Sequence, residues 1–240
     1  MSFGIRFRFS RDASLHYIAH LDMLRLFERA LRRSALPVAH THGFNPRMKL
    51  VFGLPMSIGL SSEAEYADIE FDRPVSPALF IECLNGHLPQ GMAILEAVSL
   101  AGSDNVMGRV AAARYQITFE AEPAGTCQEL EALFLRLREA APLPVMKKGK
   151  RGLREIDLRP LIFSIALQSV TPERPRCVLE AFVSAGAVDN LRPDLLMQAW
   201  SALVGVPFRI LGIHRQALYA SIDNEWLPLT DARACGGHAS

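Results

Sequence analysis

The sequence predicts an α+β fold in which antiparallel sheets are backed by helices, and three observations predict it. Phe3, Ile5, Phe7 and Phe9 alternate with Gly4, Arg6, Arg8 and Ser10, the period of two that a half-buried strand requires. Between His20 and Ala35 the period lengthens, so that Leu24, Phe27 and Leu31, with Met23 and Ala30 beside them, fall on one helical stripe. The two periods then recur in the order strand, helix, strand, strand, helix, strand, over residues 1–102 and again, with one further strand between the helices, over 103–230. That order, run twice, is the pattern of two tandem ferredoxin-like domains.

The first helix is expected to close at Pro37, which has no backbone N–H to donate. Strands follow at 49–52 and 66–71, separated by the turn-rich segment 53–62. Ser76 is placed to cap a second helix with Pro77 in its first position, ending near Leu84 before Asn85-Gly86, and Met92 to Leu100 supplies the next strand. In the second half Tyr115, Ile117 and Phe119 alternate as a strand, and Thr126 precedes a helical stripe of Leu130, Leu133, Phe134 and Leu137. Strands are expected at 144–146, 161–168 and 176–183, then a helix opening near Pro193 and a last strand over 208–216. Gly102-Ser103-Asp104-Asn105 reads as the joint, and the Gly- and Ala-rich residues 231–240 as a disordered tail.

A chain of 240 residues is long enough for two such domains, and 50% hydrophobic with 21% charged residues is a globular composition. It contains no run of about 18 apolar residues, so no membrane segment is expected. The N-terminus alternates arginine and aromatic residues where a secretory signal needs a continuous apolar core, and a cytoplasmic location is expected. Cys83, Cys127, Cys177 and Cys235 are dispersed, without the close spacing of a zinc or iron–sulfur site, so no cofactor is assigned to this chain.

Formal net charge is only +1, yet the first helix and its surroundings gather His16, His20, Arg25, Arg29, Arg32, Arg33, His40 and His42. Asp22, Arg25, Arg29 and Arg32 share a helical face, and the arginines outnumber Asp22 and Glu28, the carboxylates available to pair with them. Arginine's planar fork suits phosphate or carboxylate, so this face is read as an anion site, against the plainer account of a solvated helix with weak ion pairs. Asn45, Arg47, Lys49, Ser62 and Glu65 are expected to line a pocket beside it, on the turns Gly43-Phe44-Asn45-Pro46 and Gly59-Leu60-Ser61-Ser62. His20, at the helix start, is the one candidate for acid–base catalysis. His40 and His42 lack the further ligands a metal site requires, and no metal is assigned. A second basic segment holds Lys147, Lys148, Lys150, Arg151 and Arg154; the plainer reading is a solvated loop, and the functional one, between strands and flanked by glycines, a mobile phosphate-contacting loop.

The residues Tyr17-Ile18-Ala19-His20-Leu21-Asp22, Arg25-x-x-x-Arg29-Ala30-Leu31-Arg32-Arg33, Leu36-Pro37, Gly43-Phe44-Asn45-Pro46, Gly59 and Ser62-x-x-Glu65-Tyr66 resemble the radical SAM-linked protein family. The resemblance covers mainly residues 3–72, with a more diffuse match through Tyr115 and Ile156-Asp157-Leu158-Arg159. Members are domains of unknown function encoded beside, or fused to, an uncharacterised radical SAM protein. The resemblance therefore implies a radical SAM partner and carries no activity with it.

Taken together, these readings predict an accessory module that binds RNA or another phosphate-bearing substrate and presents it to a radical SAM enzyme. Two alternatives stand beside it. One is an RNA-processing or RNA-modifying enzyme resembling the CRISPR repeat-associated endoribonucleases, with His20 as acid or base and Arg25 or Arg29 steadying phosphorane charge. The other is a protein-docking subunit whose arginine face meets an acidic partner surface.

Overall fold

The computed structural model describes residues 3–55, 57–100, 105–122, 127–149, 152–170 and 176–236. In chain order the elements are β1 (Phe3–Arg11), α1 (His20–Arg33), β2 (Leu50–Phe52), β3 (Leu60–Phe71), α2 (Pro77–Asn85), β4 (Met92–Leu100), α3 (Val106–Arg109), β5 (Ala112–Ala121) and α4 (Cys127–Glu139). They continue with β6 (Pro144–Gly149), β7 (Gly152–Asp157), β8 (Ile162–Val170), β9 (Arg176–Ser184), α5 (Pro193–Val204), β10 (Phe208–Ile222) and β11 (Glu225–Pro228). The fold is mixed α+β, with mostly antiparallel pairing and helices against the sheets.

The chain forms two compact units, but they are not successive halves. One unit comprises Met1–Ala112 together with Arg215–Ser240, and the other is the intervening Ala113–His214. The expected division at 102/103 is therefore replaced by an insertion, because the chain returns to the first unit along the second part of β10. Gly102, Ser103, Asp104 and Thr126 lie outside the described residues, while Asn105 caps α3 by accepting from the Gly108 N–H at 3.0 Å.

In the first unit β1 runs antiparallel to both β3 and β4, with Phe7 opposite Ala67 and Ala97, and β2 pairs antiparallel with β3. The strand order is thus β4-β1-β3, with β2 and β10 both alongside β3. Ile5, Phe7 and Phe9 meet Met23, Phe27, Ala30 and Leu31 of α1 and Phe80 and Leu84 of α2 in one buried core. Phe9 and Phe27 stand edge to face at 4.9 Å, and Phe7 and Phe80 are tilted to each other at 5.0 Å, separations at which aromatic pairs attract beyond simple burial. Ser76 caps α2 by accepting from the Leu79 N–H at 3.3 Å, with Pro77 in the first turn.

The opposite face of β1 is not solvated as its polar residues suggest. Arg6 is fully buried, donating to both Asp68 oxygens at 2.7 and 2.9 Å and to the carbonyls of Leu229 and Ala234 at 3.2 and 2.9 Å. Residues 231–236, expected to be tail, are instead a succession of turns in which Ala234 and Cys235 are buried. Their composition is that of a loose end, and burial of an arginine fork that needs acceptors holds them in place.

The second unit repeats the strand logic in the order β10-β5-β9-β8, with β8 and β9 antiparallel. Trp200 of α5 fills its core, 4.5 Å from Phe208 and 5.3 Å from Phe119, and its indole N–H donates to the Leu133 carbonyl of α4 at 3.0 Å. β6 and β7 form a separate hairpin, Lys147 opposite Arg154 and Gly149 opposite Gly152. Lys147, Lys148 and Arg154 of the basic run are therefore in strands where a loop was expected, while Lys150 and Arg151 lie outside the described residues. Residues Gly152 to Glu155 are exposed, so no alternation of buried and polar side chains marked β7.

Candidate anion-binding site

The arrangement around α1 follows from its helical period. Successive residues turn by about 100°, so Met23, Phe27, Ala30 and Leu31 face the core while Leu21, Leu24, Arg25, Glu28 and Arg32 face a cleft. Its opposite wall is His40, Pro46, Arg47 and Met48, and its volume is about 380 Å³. That wall is an excursion between α1 and β2, closed upon itself. His40 bridges Met48, the Thr41 N–H donates to the Arg47 carbonyl at 2.8 Å, and the Arg47 N–H donates to the Thr41 hydroxyl at 3.0 Å. Gly43 turns at φ 131°, a backbone conformation that favours glycine, and leaves Phe44 wholly exposed at the tip. The base of the excursion is tied to β3 by Ala39 N–H to Glu70 carbonyl at 2.9 Å and by an ion pair from Lys49 to Glu70 at 2.8 Å.

Charge in the cleft is unbalanced. Arg25, Arg32 and Arg47 face one lining carboxylate, Glu28, which approaches Arg32 only to 3.9 Å. Arg25 shares one guanidinium nitrogen with Asp22 at 3.1 Å, a pair with both side chains more than half exposed. The Arg47 guanidinium makes no hydrogen bond among the described residues. Leu21, Leu24, Pro46 and Met48 give the same cleft apolar walls.

Not every residue expected at the site is in it. Asp22 and Arg29 lie on the adjoining exposed face of α1, a quarter turn away, and Arg33 donates to the His87 carbonyl at 2.8 Å as a tie to the end of α2. His20 is turned toward the core, its ring edge-on to Phe52 at 5.6 Å and its Nδ1 buried without a hydrogen-bond partner among the described residues; it does not line the cleft. Asn45 is exposed beside Pro46. Lys49 is engaged with Glu70. Ser62 and Glu65 are a correction: β3 begins at Leu60, so the expected turn ends at Gly59, and both side chains are buried. The Ser62 hydroxyl donates to the Arg215 carbonyl at 3.1 Å, and Glu65 accepts from the Arg215 guanidinium at 2.6 and 2.7 Å. In the other unit Lys147 and Lys148 stand on β6, while Lys150 and Arg151 lie outside the described residues. Conversely, Leu24 was assigned to packing and His40 weighed as a metal ligand, yet both line the cleft; the spacing 21, 24, 25, 28, 32 was the signal for the first. Among the described residues no group of three His, Cys, Asp or Glu could hold a metal ion, and no helix is long and apolar enough to cross a membrane.

A second cleft of about 380 Å³ in the same unit is lined by Arg8, Tyr66, Glu96, Tyr219, Thr230 and Asp231 among others, and there Arg8 is already paired with Glu96 at 3.3 Å. Burial, first among the causes, pushes the Tyr66 phenol up to about 12. The unfolded phenol ionises near 10, so as pH rises the unfolded state loses its proton first and stability falls from about pH 10 towards 12. The loss is on the order of 2–3 kcal/mol. In Tyr66→Phe this part of the alkaline loss disappears, and urea midpoints of the two proteins should converge between pH 9 and 11.5. Parallel midpoints would refute it.

The fold and cleft define a mixed α+β protein with an arginine-lined cleft. The chain belongs to the family described as "Uncharacterized protein conserved in bacteria (DUF2344)", which matches residues 4–193. No curated protein matches it. Among solved structures, a chain in the crystal structure of a Cbf5-Nop10-Gar1 complex is similar at TM-score 0.51 and 11% identity, over 90% of this chain and 48% of that one. A chain of the archaeal box H/ACA sRNP Nop10-Cbf5 complex gives TM-score 0.45 and 11% identity, over 88% and 46%. A chain of an H/ACA RNP bound to a substrate RNA containing 2'-deoxyuridine gives 0.44 at the same identity and coverage. This chain thus spans about half the length of the first of these, and the similarity is one of fold.

Proposed function

We propose that this chain is an accessory module that binds RNA, or another phosphate-bearing substrate, in the α1 cleft and presents it to a radical SAM enzyme. The observation that carries the reading is the convergence of Arg25, Arg32 and Arg47 from two separate segments onto one cleft with a single lining carboxylate. Three planar forks around one volume suit a phosphate better than scattered surface charge does. The radical SAM partner rests on the resemblance of residues 17–66. A ferredoxin-like reading of each unit, one inserted in the other instead of in tandem, is supported by the neighbour orders β4-β1-β3 with β2 beside β3, and β10-β5-β9-β8. The docking alternative draws on the same exposed arginines, and what favours the phosphate reading is that they share one concave site with apolar walls.

Fluorescence anisotropy of a labelled single-stranded RNA tests the reading. Affinity should fall with added salt, the logarithm of the binding constant dropping with a slope of about −2 for about three neutralised phosphates. Arg25→Glu, Arg32→Glu and Arg47→Glu should each weaken binding about tenfold or more. Arg25 and Arg32 have side chains 70% and 67% exposed, so their replacement leaves the fold intact. Binding that ignores salt, or survives all three reversals, would sink the proposal.

A further inference from the structure

We infer that the α1 cleft holds one unstacked nucleotide of a single-stranded RNA, and that Glu28 selects bases presenting an exocyclic amino group. This rests on the anion reading above and narrows it to one substrate class.

Size is the first argument. A cleft of about 380 Å³ lies at the small end of ligand pockets, which span roughly 300–1,000 Å³, and admits a nucleotide but not the flank of a helix. Duplex RNA is recognised by shape over about 16 base pairs, whereas sequence is read from splayed single-stranded bases. The lining is the second. Leu21, Leu24, Pro46 and Met48 offer a base an apolar face on either wall, and Arg25, Arg32 and Arg47 hold the phosphates. A bare phosphate would need the cations alone.

Exposed aromatic surface is the third argument. Phe44, two residues before Pro46, is fully solvent-exposed, and Tyr17, just before α1, is 77% exposed. Single-strand binders combine basic grooves with such side chains, on which neighbouring bases stack. Polarity is the fourth. Glu28 is the one carboxylate in the lining, its side chain 24% exposed and its ion pair with Arg32 a long 3.9 Å. A carboxylate accepts hydrogen bonds only, so it accepts from the cytosine N4 amino group and repels the uracil O4 carbonyl at the equivalent position.

The experiment compares labelled single-stranded hexamers of cytidine and of uridine with a 16-base-pair RNA duplex, at one salt concentration, on the full chain. The single strands should bind, the cytidine hexamer about tenfold tighter than the uridine one, and the duplex more weakly than either. Phe44→Ala should weaken the cytidine hexamer about tenfold. Glu28→Gln should bring the two hexamers together. A duplex that binds as tightly as the single strands, an inert Phe44→Ala, or cytidine preference that survives Glu28→Gln overturns this inference and leaves the anion site standing. Failure of every RNA to bind overturns both.

Discussion

Arg6→Met is expected to lower unfolding free energy by about 3–5 kcal/mol, the range for stripping one partner from a buried ion pair. Arg6 is fully buried, and its guanidinium satisfies four acceptors: both oxygens of Asp68 and the carbonyls of Leu229 and Ala234. Methionine fills much of the volume but donates nothing. The Asp68 carboxylate then keeps the Val106 N–H, at 2.6 Å, without its cation, and two carbonyls are left in an apolar setting. Arg8, two residues along the same strand, makes the control. Its pair with Glu96 is 3.3 Å long and a third exposed, so Arg8→Met should cost about 1 kcal/mol or less. Urea denaturation of both variants gives the comparison, and equal losses would show that the closure by residues 229–235 contributes nothing.

That contrast shows where the sequence was readable. Local periods gave β1, α1, α2 and β4 nearly to the residue, because each needs only its own neighbours to decide which face is apolar. They could not separate Arg6 from Arg8. Both occupy the polar face of β1, and what distinguishes them is contact with residues 223 and 228 positions further on. For the same reason residues 231–236 looked like a tail, and residues 60–62 like a turn when they begin β3. The cleft was half legible. Arg25, Arg32 and Arg47 were chosen from charge and turn chemistry, but a face drawn through Asp22 and Arg29 was rotated by a quarter turn from the one the excursion at 40–48 covers. Only the position of that second wall fixes which helical face becomes a site.

Glu65→Gln is expected to be the more damaging half of the other buried pair, costing about 5 kcal/mol against about 3 for Arg215→Met. Both side chains are 3% exposed, and one guanidinium nitrogen of Arg215 reaches both Glu65 oxygens. The asymmetry comes from Arg11. Burial lowers the pKa of its guanidinium, the Glu65 charge opposes that shift, and the Arg215 charge adds to it. Losing Arg215 leaves the Glu65 carboxylate with Arg11 as a remaining cation. Losing the Glu65 charge leaves two guanidiniums repelling each other where water cannot screen them. Arg11 also donates to the carbonyls of Ile18, His16, Ser57 and Leu60, tying together the segments before α1 and before β3. The effect of Glu65→Gln should therefore extend to the start of α1, read as faster amide exchange at Ile18 and Gly59, whose N–H groups are bonded at 3.0 and 2.7 Å. The double variant Glu65→Leu with Arg215→Met removes the repulsion between the two guanidiniums but leaves Arg11 without its anion, so it should recover part of the stability lost by Glu65→Gln. If Arg215→Met proves costlier than Glu65→Gln, the coupling to Arg11 is wrong, and the pair acts alone.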